Sequence, residues 1–499
     1  MKQHPSSLLF FLQTSEMKMR VDGLLYLLPL FLSIIFSSAQ GLQGLGVNYG
    51  TLGNNLPSPE QSVQLIRKLN AGSVKINDAN ASILSALAGT GLRVSIMVPN
   101  QIIPSIAANQ SAADEWVSTN VLPFLPATRI RYLLVGNEVL SDYSIKNSTW
   151  QAIVPAIKNL HQSLKSSAIY NIKLGTTLAM DALSDSFPPS NGTFRSDIAE
   201  PVIRPLLTYL RKTRSFFFID AYPYNAWSTN PTNIPLDYAL FQACPSMYFT
   251  DPVTNLVYSN LLDQMLDSVI AAMGRLGFKD VKLAVAETGW PNWGDLDQVG
   301  ANVYNAAVYN RNLARWMAGK PGTPARPGVD MPIFVFALYN ENMKPGPGTE
   351  RHWGMYYPNT KPVYQVDLSG RRQLDSYPPL LSPNNNSPYL GPIWCVFAGS
   401  KNVSWTELRE AVQYACGVGN GTCNAILPGG ECYKPNRLAR DANWAFNLYW
   451  QQFKKSGAAC YFNGLATQTA KDPSKFPFFL FSEQFSQYRI HLNLLRAEE

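Results

Sequence analysis

Leu283-Ala284-Val285-Ala286-Glu287-Thr288-Gly289-Trp290-Pro291 is a short apolar run stopped by a carboxylate and then by two breakers, Gly289 and Pro291. The pattern predicts a buried strand that ends on Glu287. An ionised carboxylate is costly there without partners, so Glu287 is either paired structurally or used for chemistry. A second stretch repeats the design: Ile130-Arg131-Tyr132-Leu133-Leu134-Val135-Gly136-Asn137-Glu138-Val139 closes an apolar strand on Asn137 and Glu138. Two strand-end carboxylates point to a paired acid and nucleophile.

Outward from these two strands, short apolar runs alternate with amphipathic stretches from residue 44 onward, the pattern of parallel βα units. Strands are predicted over 44–49, 74–77, 93–98, 131–138, 173–179, 216–222, 282–287 and 333–339, and helices over 59–69, 82–88, 112–121, 150–164, 199–210, 261–276 and 301–316. Eight such strands place the chain in the α/β class as a closed (β/α)8 TIM barrel. The barrel closes near Asp367, and its eighth helix is the element least legible in the sequence. Active residues of such a barrel sit at the C-terminal ends of the strands. Polar residues fall at those ends here: Asn48 and Tyr49, Asn77 and Asp78, Asn100, Asn137 and Glu138, Tyr222 and Tyr224, Glu287, then Tyr339, Asn340 and Glu341. Capping of an inert barrel explains any one of them and explains the whole ring poorly. The fourth and seventh strands lie three apart, so Glu138 and Glu287 are expected to face each other across the mouth.

The length of 499 residues suits one large barrel plus a small module, and the 15% charged and 12% aromatic fractions suit an apolar core with aromatic surface to spare. A formal charge of +7 without a Lys/Arg cluster argues against nucleic acid as a partner. The run Leu24 to Phe36, preceded by Lys18 and Arg20, reads as a secretory signal. It is shorter than the roughly 20 residues that span a bilayer. The expected division is a signal over 1–40, with Met17 or Met19 as alternative starts, a barrel over 41–367, a Pro/Asn/Ser-rich linker over 368–391, a module over 392–475 and an atypical tail over 476–499. Sequons at Asn80, Asn109, Asn147, Asn191, Asn385, Asn402 and Asn420 are compatible with secretion. Five of the six cysteines crowd the last quarter, which predicts a disulfide-stapled domain. Zinc is the weaker reading, because the gaps are not those of zinc sites and the four histidines do not cluster. The charges of the last residues, such as Arg489, Arg496, Glu498 and Glu499, stand where a lipid-anchor signal would need an apolar tail, so no membrane anchor is expected.

Gly46-Val47-Asn48-Tyr49-Gly50, Gly136-Asn137-Glu138-Val139 and Glu287-Thr288-Gly289-Trp290-Pro291 resemble, in order, the signatures of plant glycoside hydrolase family 17, the endo-β-1,3-glucanases and their relatives. The resemblance covers residues 44 to about 367 and implies a retaining glycosidase acting on β-1,3-glucan, with Glu138 as proton donor and Glu287 as nucleophile. Asn137 is then expected to hydrogen-bond the sugar 2-hydroxyl, and Glu341, Lys344 and Glu350 match the family's supporting residues. Tyr49, Tyr224 and Trp290, with Trp293 and Trp353, are candidate platforms for the apolar face of a pyranose. Such a reaction needs carboxylates and water, so neither metal nor organic cofactor is expected, and a monomer is.

Trp394-Cys395-Val396, Tyr414-Ala415-Cys416-Gly417, Gly429-Gly430-Glu431-Cys432-Tyr433 and Cys460-Tyr461-Phe462-Asn463-Gly464 resemble a carbohydrate-binding module of family 43. That resemblance implies glucan binding and the pairs Cys395–Cys460 and Cys416–Cys423. Cys432 then lacks a partner, because the family's last cysteine is absent and Lys475 to Phe481 stands in its place. Two rival functions remain at this level: transglycosylation by the same carboxylates, and a non-catalytic wall protein that binds callose.

Overall fold

Eight parallel strands close into a barrel in the computed structural model, which describes residues 44–319, 322–399, 403–419, 421 and 423–473. The expected signal segment and atypical tail lie outside the described residues, as do Asn402 and Asn420. The strands are β1 (Gly46–Asn48), β2 (Ser73–Lys75), β3 (Arg93–Val98), β4 (Arg129–Asn137), β5 (Lys173–Ala179), β6 (Phe216–Asp220), β7 (Lys282–Thr288) and β8 (Ile333–Val335). Each pairs with its sequence neighbours, and β1 closes the ring on β8 through Gly46–Phe334 and Val47–Val335.

The interior is packed by large rings set against small residues, as a barrel's taper demands. Tyr132, Phe218 and Phe334 meet edge to face with Met97, Leu134, Ala284 and Ala286 around them. Gly46 is required beside them, since a Cβ there would lie 2.3 Å from the Phe334 ring.

The helices pack outside. Helix α1 (Pro59–Lys68) starts on a capping box between Ser58 and Gln61, carries Pro59 at its first turn and Arg67 and Lys68 at its last, and buries Val63, Leu65 and Ile66. Behind it come α2 (Ala81–Ala86), α3 (Gln110–Asn120), α4 (Ile153–Ser166), α5 (Arg204–Thr213), α6 (Leu261–Arg275) and α7 (Val303–Gly319). The uncertain eighth helix has a physical outcome: residues 336–367 form no α-helix, only a 3-10 turn over Gly348–Arg351. The barrel is sealed there by backbone, with Leu45 N donating to Leu368 O at 2.9 Å and Leu368 N to Leu69 O at 2.8 Å.

The Pro/Asn/Ser-rich segment is tied down rather than loose. Tyr377 is buried with its hydroxyl accepting from Asp367 N, and the Arg311 guanidinium lies 4.0 Å from its ring centre. Further on, Asn385 and Asn386 accept from the Asn302 amide at 2.7 and 3.0 Å, and Gly300 N donates to Asn385 O at 2.7 Å.

Past this clasp, β9 (Trp394–Phe397) pairs antiparallel with β10 (Ala466–Thr469), and α8 (Trp405–Val418) and α9 (Leu438–Phe453) enclose a separate core of Leu408, Ala442, Ala445, Phe446 and Trp450. Disulfides join Cys395 to Cys460 and Cys416 to Cys423, while Cys244 and Cys432 are free thiols. A core this small depends on such staples.

Candidate active site

Glu287 ends β7 and is buried at 6% exposure among groups that favour its charge. The Lys75 ammonium, itself wholly buried on β2, reaches Glu287 Oε1 at 2.6 Å, and the Tyr222 hydroxyl donates to Oε2 at 2.7 Å. Lys75 is held in turn by Asn48 Oδ1 at 2.9 Å and Asn77 Oδ1 at 2.6 Å. Burial alone would raise the Glu287 carboxyl; Lys75, the Tyr222 hydroxyl and the Lys344 cation outweigh it and hold the group below the ordinary carboxylate range.

Glu138 follows β4, and its carboxyl takes no hydrogen-bond or ion-pair partner among the described residues, though the Lys75 charge acts on it from a distance. Burial first, then the Glu287 and Asp181 charges, push its carboxyl up to about 7. Its backbone is left-handed, at φ 48°, which costs a residue with a Cβ about 1–2 kcal/mol. Such conformations gather at functional sites. Asn137 just before it is fixed by Asn100, which exchanges two hydrogen bonds with its backbone at 2.8 and 2.9 Å, and by Thr177 Oγ1, which donates to Asn137 Oδ1 at 2.8 Å. The Asn137 amide nitrogen takes no partner among the described residues.

The paired-strand reading did not anticipate a third carboxyl. Asp220 ends β6 in register with Glu287 and is buried beside it. Burial, then the Glu287 and Glu138 charges, raise its carboxyl well above the usual range, which favours its neutral form. Asp220→Asn is therefore expected to keep most activity. A group whose folded pKa is raised contributes stability below its unfolded pKa and loses it as pH rises through the folded value. Thermal midpoints of the Asn variant and the parent should thus agree in acid and diverge in the variant's favour as pH rises. A pH-independent gap would mean that Asp220 is charged in the native state.

The loop after β8 carries Glu341, Lys344 and Glu350. Lys344 pairs with Glu350 at 3.5 Å and lies 4.2 Å over the Phe336 ring. Glu341 is 3% exposed, and its carboxylate accepts from Leu52 N at 2.8 Å, tying the loops after β1 and β8 together.

The candidate aromatic platforms divide by burial. Tyr49 is 3% exposed, Tyr224 4%, Trp353 4% and Trp290 0%, so none presents a ring face. Trp290 donates from Nε1 to Gly300 O at 2.8 Å and packs on Tyr224, Trp227 and Tyr309. Trp293, at 52% exposure and 4.6 Å from the His352 ring, is the member of the set that faces solvent. Trp290→Ala should cost about 3–5 kcal/mol of stability in chemical denaturation. A sugar platform would instead raise KM and leave stability unchanged.

Lys75 and Tyr222 complete the site. The signal for Lys75 lies in Val74-Lys75-Ile76, a lone cation between two β-branched residues of a buried strand.

Comparison with known proteins agrees with this geometry. Residues 45–368 match the model of glycosyl hydrolases family 17, and residues 393–467 match that of the X8 domain. The probable glucan endo-1,3-beta-glucosidase A6 of Arabidopsis thaliana is 51% identical over 439 residues, covering 87% of this chain and 91% of that protein. Glucan endo-1,3-beta-glucosidase 12 of the same plant is 38% identical, covering 89% and 86%. Among solved structures, the Cryptomeria japonica pollen β-1,3-glucanase CJP38 superposes with a TM-score of 0.62 at 38% identity, covering 65% of this chain and 99% of that one. An eight-stranded barrel with carboxylates at the ends of β4 and β7, matched over its whole length, shows that the chain belongs to family 17 of the glycosyl hydrolases.

Proposed function

We propose that the chain hydrolyses internal β-1,3-glucosidic bonds of β-1,3-glucan, retaining configuration through a covalent intermediate. The observation that carries the reading is the opposite setting of two strand-end carboxyls: Glu287 is bonded by Lys75 and Tyr222, which favour its charge, while Glu138 is pushed up to about 7 and so keeps its proton below that pH. Glu287 attacks the anomeric carbon while Glu138 passes its proton to the departing glycosidic oxygen. Water then attacks the glycosyl ester, Glu138 takes back a proton, and Glu287 leaves as carboxylate. The unpartnered Asn137 amide is suited to the sugar 2-hydroxyl, Lys344 and Glu350 support the charge of the site, and Trp293 offers the platform. The names of the two Arabidopsis relatives, a probable glucan endo-1,3-beta-glucosidase and a glucan endo-1,3-beta-glucosidase, support this substrate.

The barrel ends near residue 367, the segment 368–391 bridges to the X8 module, and that module adds a second hold on glucan. Two disulfides in a small domain support secretion to the cell wall, with a signal over 1–40. None of the helices among the described residues is long and apolar enough to cross a membrane.

Product analysis on laminarin tests the reading: release of a ladder of β-1,3-oligosaccharides with the β-anomer first formed is expected, and no cleavage, or α-anomer, would overturn it. The pH profile tests the assignment of roles. kcat/KM should fall on the alkaline side through about 7 as Glu138 loses its proton, with an acid limb below the ordinary carboxylate range set by Glu287. An alkaline limb well above that value would remove Glu138 from the role of acid.

A further inference from the structure

The module does more than follow the barrel; it grips two of the loops that rim the site. Tyr461 donates from its hydroxyl to Asn342 O at 3.0 Å, and the Arg351 guanidinium lies 3.6 Å from the centre of its ring. Arg351 in turn donates to Lys344 O and Gly346 O, both at 3.0 Å. The loop that carries Lys344 and Glu350 is thus held at Asn342 by the tyrosine directly, and at Lys344 and Gly346 through the arginine stacked on it. A second contact runs through β10, where Gln468 accepts from Leu296 N at 3.0 Å and donates to Asp297 Oδ1 at 3.1 Å. The two rim loops are themselves cross-tied, since Asp295 Oδ2 accepts from Gly348 N at 2.7 Å and Gln298 bonds both the backbone and the hydroxyl of Thr349.

Tyr461 is presented from a stiff base. Its neighbour Cys460 is bonded to Cys395 on β9, and Phe462 stacks on Phe446 of α9 at 4.1 Å. A glycine-rich loop, Lys344-Pro345-Gly346-Pro347-Gly348, has little side-chain packing of its own to fix it, so external ties decide its position.

We propose that Tyr461 of the module is a positioning residue for hydrolysis: through Arg351 and Asn342 it fixes the loop after β8, and so the place of the Lys344 ammonium, which pairs with Glu350 and lies over the Phe336 ring. This rests on the glucanase reading. The module then acts on turnover itself, not only on adhesion to the polymer. The titratable groups that bear on Glu287 are Lys75, Tyr222, Lys344, Glu138, Asp220 and Glu341; of these Lys344 and Glu341 sit on the loop the module touches, and Lys344 is the one of the two that favours the Glu287 charge.

The test uses the full-length protein as Tyr461→Ala, Tyr461→Phe and Arg351→Ala, assayed on a soluble β-1,3-linked pentasaccharide. Tyr461→Ala should lower kcat about 5-fold or more, the low end of coupling between distinct sites. KM should change little, and the acid limb of the pH profile should move upward as Glu287 loses Lys344. Tyr461→Phe keeps the ring under Arg351 and should recover most of the loss. Arg351→Ala should reproduce most of the Tyr461→Ala loss, and the double variant should be little worse than Tyr461→Ala, because both cut the stacked contact and only the Asn342 bond is additional. Hydrogen exchange of the amides in residues 342–351 supplies a readout independent of activity and should speed up in Tyr461→Ala. Unchanged kcat, pH profile and exchange in that variant, with weaker retention on insoluble glucan alone, would overturn the proposal and make Tyr461 a simple glucan contact. A parent enzyme inert on every β-1,3-glucan would instead refute the glucanase reading, and the exchange result would still decide whether the module orders the loop.

Discussion

Glu287→Gln is expected to lower turnover of β-1,3-glucan by more than roughly 10⁴-fold, because the amide cannot form the glycosyl ester on which both half-reactions depend. The substitution is nearly isosteric: the amide oxygen can still accept from Lys75, and the amide NH2 can donate to a Tyr222 hydroxyl that turns to accept, so the fold should survive. Glu138→Gln provides the contrast. Loss of the acid should slow glucan cleavage by roughly 10²–10⁴-fold. It should leave aryl β-glucosides of laminari-oligosaccharides, whose leaving group needs no proton, far less affected in the first step. Initial rates on the two substrate types separate the roles, and equal loss on both for Glu138→Gln would argue that it is not the proton donor.

Lys75→Met should be the most damaging change away from the two carboxylates. It removes a wholly buried ammonium bonded at 2.6 Å to Glu287, and breaking a buried pair from one side typically costs about 3–5 kcal/mol. What remains is a carboxyl whose burial now dominates, so its pKa climbs and the acid limb of the profile moves toward the alkaline limb near 7. Activity should fall at every pH and the remaining bell should narrow. The stability effect has a defined sign. A carboxyl lowered in the folded state contributes stability above its unfolded pKa, and that contribution disappears as pH falls through the folded value. The deficit of Lys75→Met in thermal midpoint should therefore be large near neutrality and shrink in acid. A deficit that does not vary with pH would show that Lys75 matters through packing alone.

The barrel was legible because each strand is an apolar run of its own, bounded by breakers, and runs of that kind have few other uses in a chain of alternating patterns. Their ends were less so. The first strand was expected over 44–49 and spans Gly46–Asn48, and the sixth was read through to 222, which hid Asp220 as a strand terminus. The carboxylates could be placed because a charge after an apolar run is conspicuous. The aromatic residues could not, because the sequence at a strand end gives a ring but not the direction in which the turn sends it. Trp290 and Tyr224 point into the shell between barrel and helices, whereas Trp293, three residues beyond Trp290, points out. Lys75 is legible only as a lone cation in a buried strand, because its partner Glu287 lies 212 residues away in the chain. The tie between the module and the rim loops had no local signal at all, since Tyr461 and Arg351 are ordinary residues in their own segments.

The seat of Tyr461 on the rim has a thermodynamic corollary. A contact that raises kcat and leaves KM little changed is felt in the transition state and not in the bound ground state. Around the thermodynamic cycle, whatever factor the docked module contributes to the transition state of cleavage, that transition state must return in holding the module down. A glucan chain merely resting across Glu138 and Glu287 gains no such grip, which belongs to the moment of bond breaking.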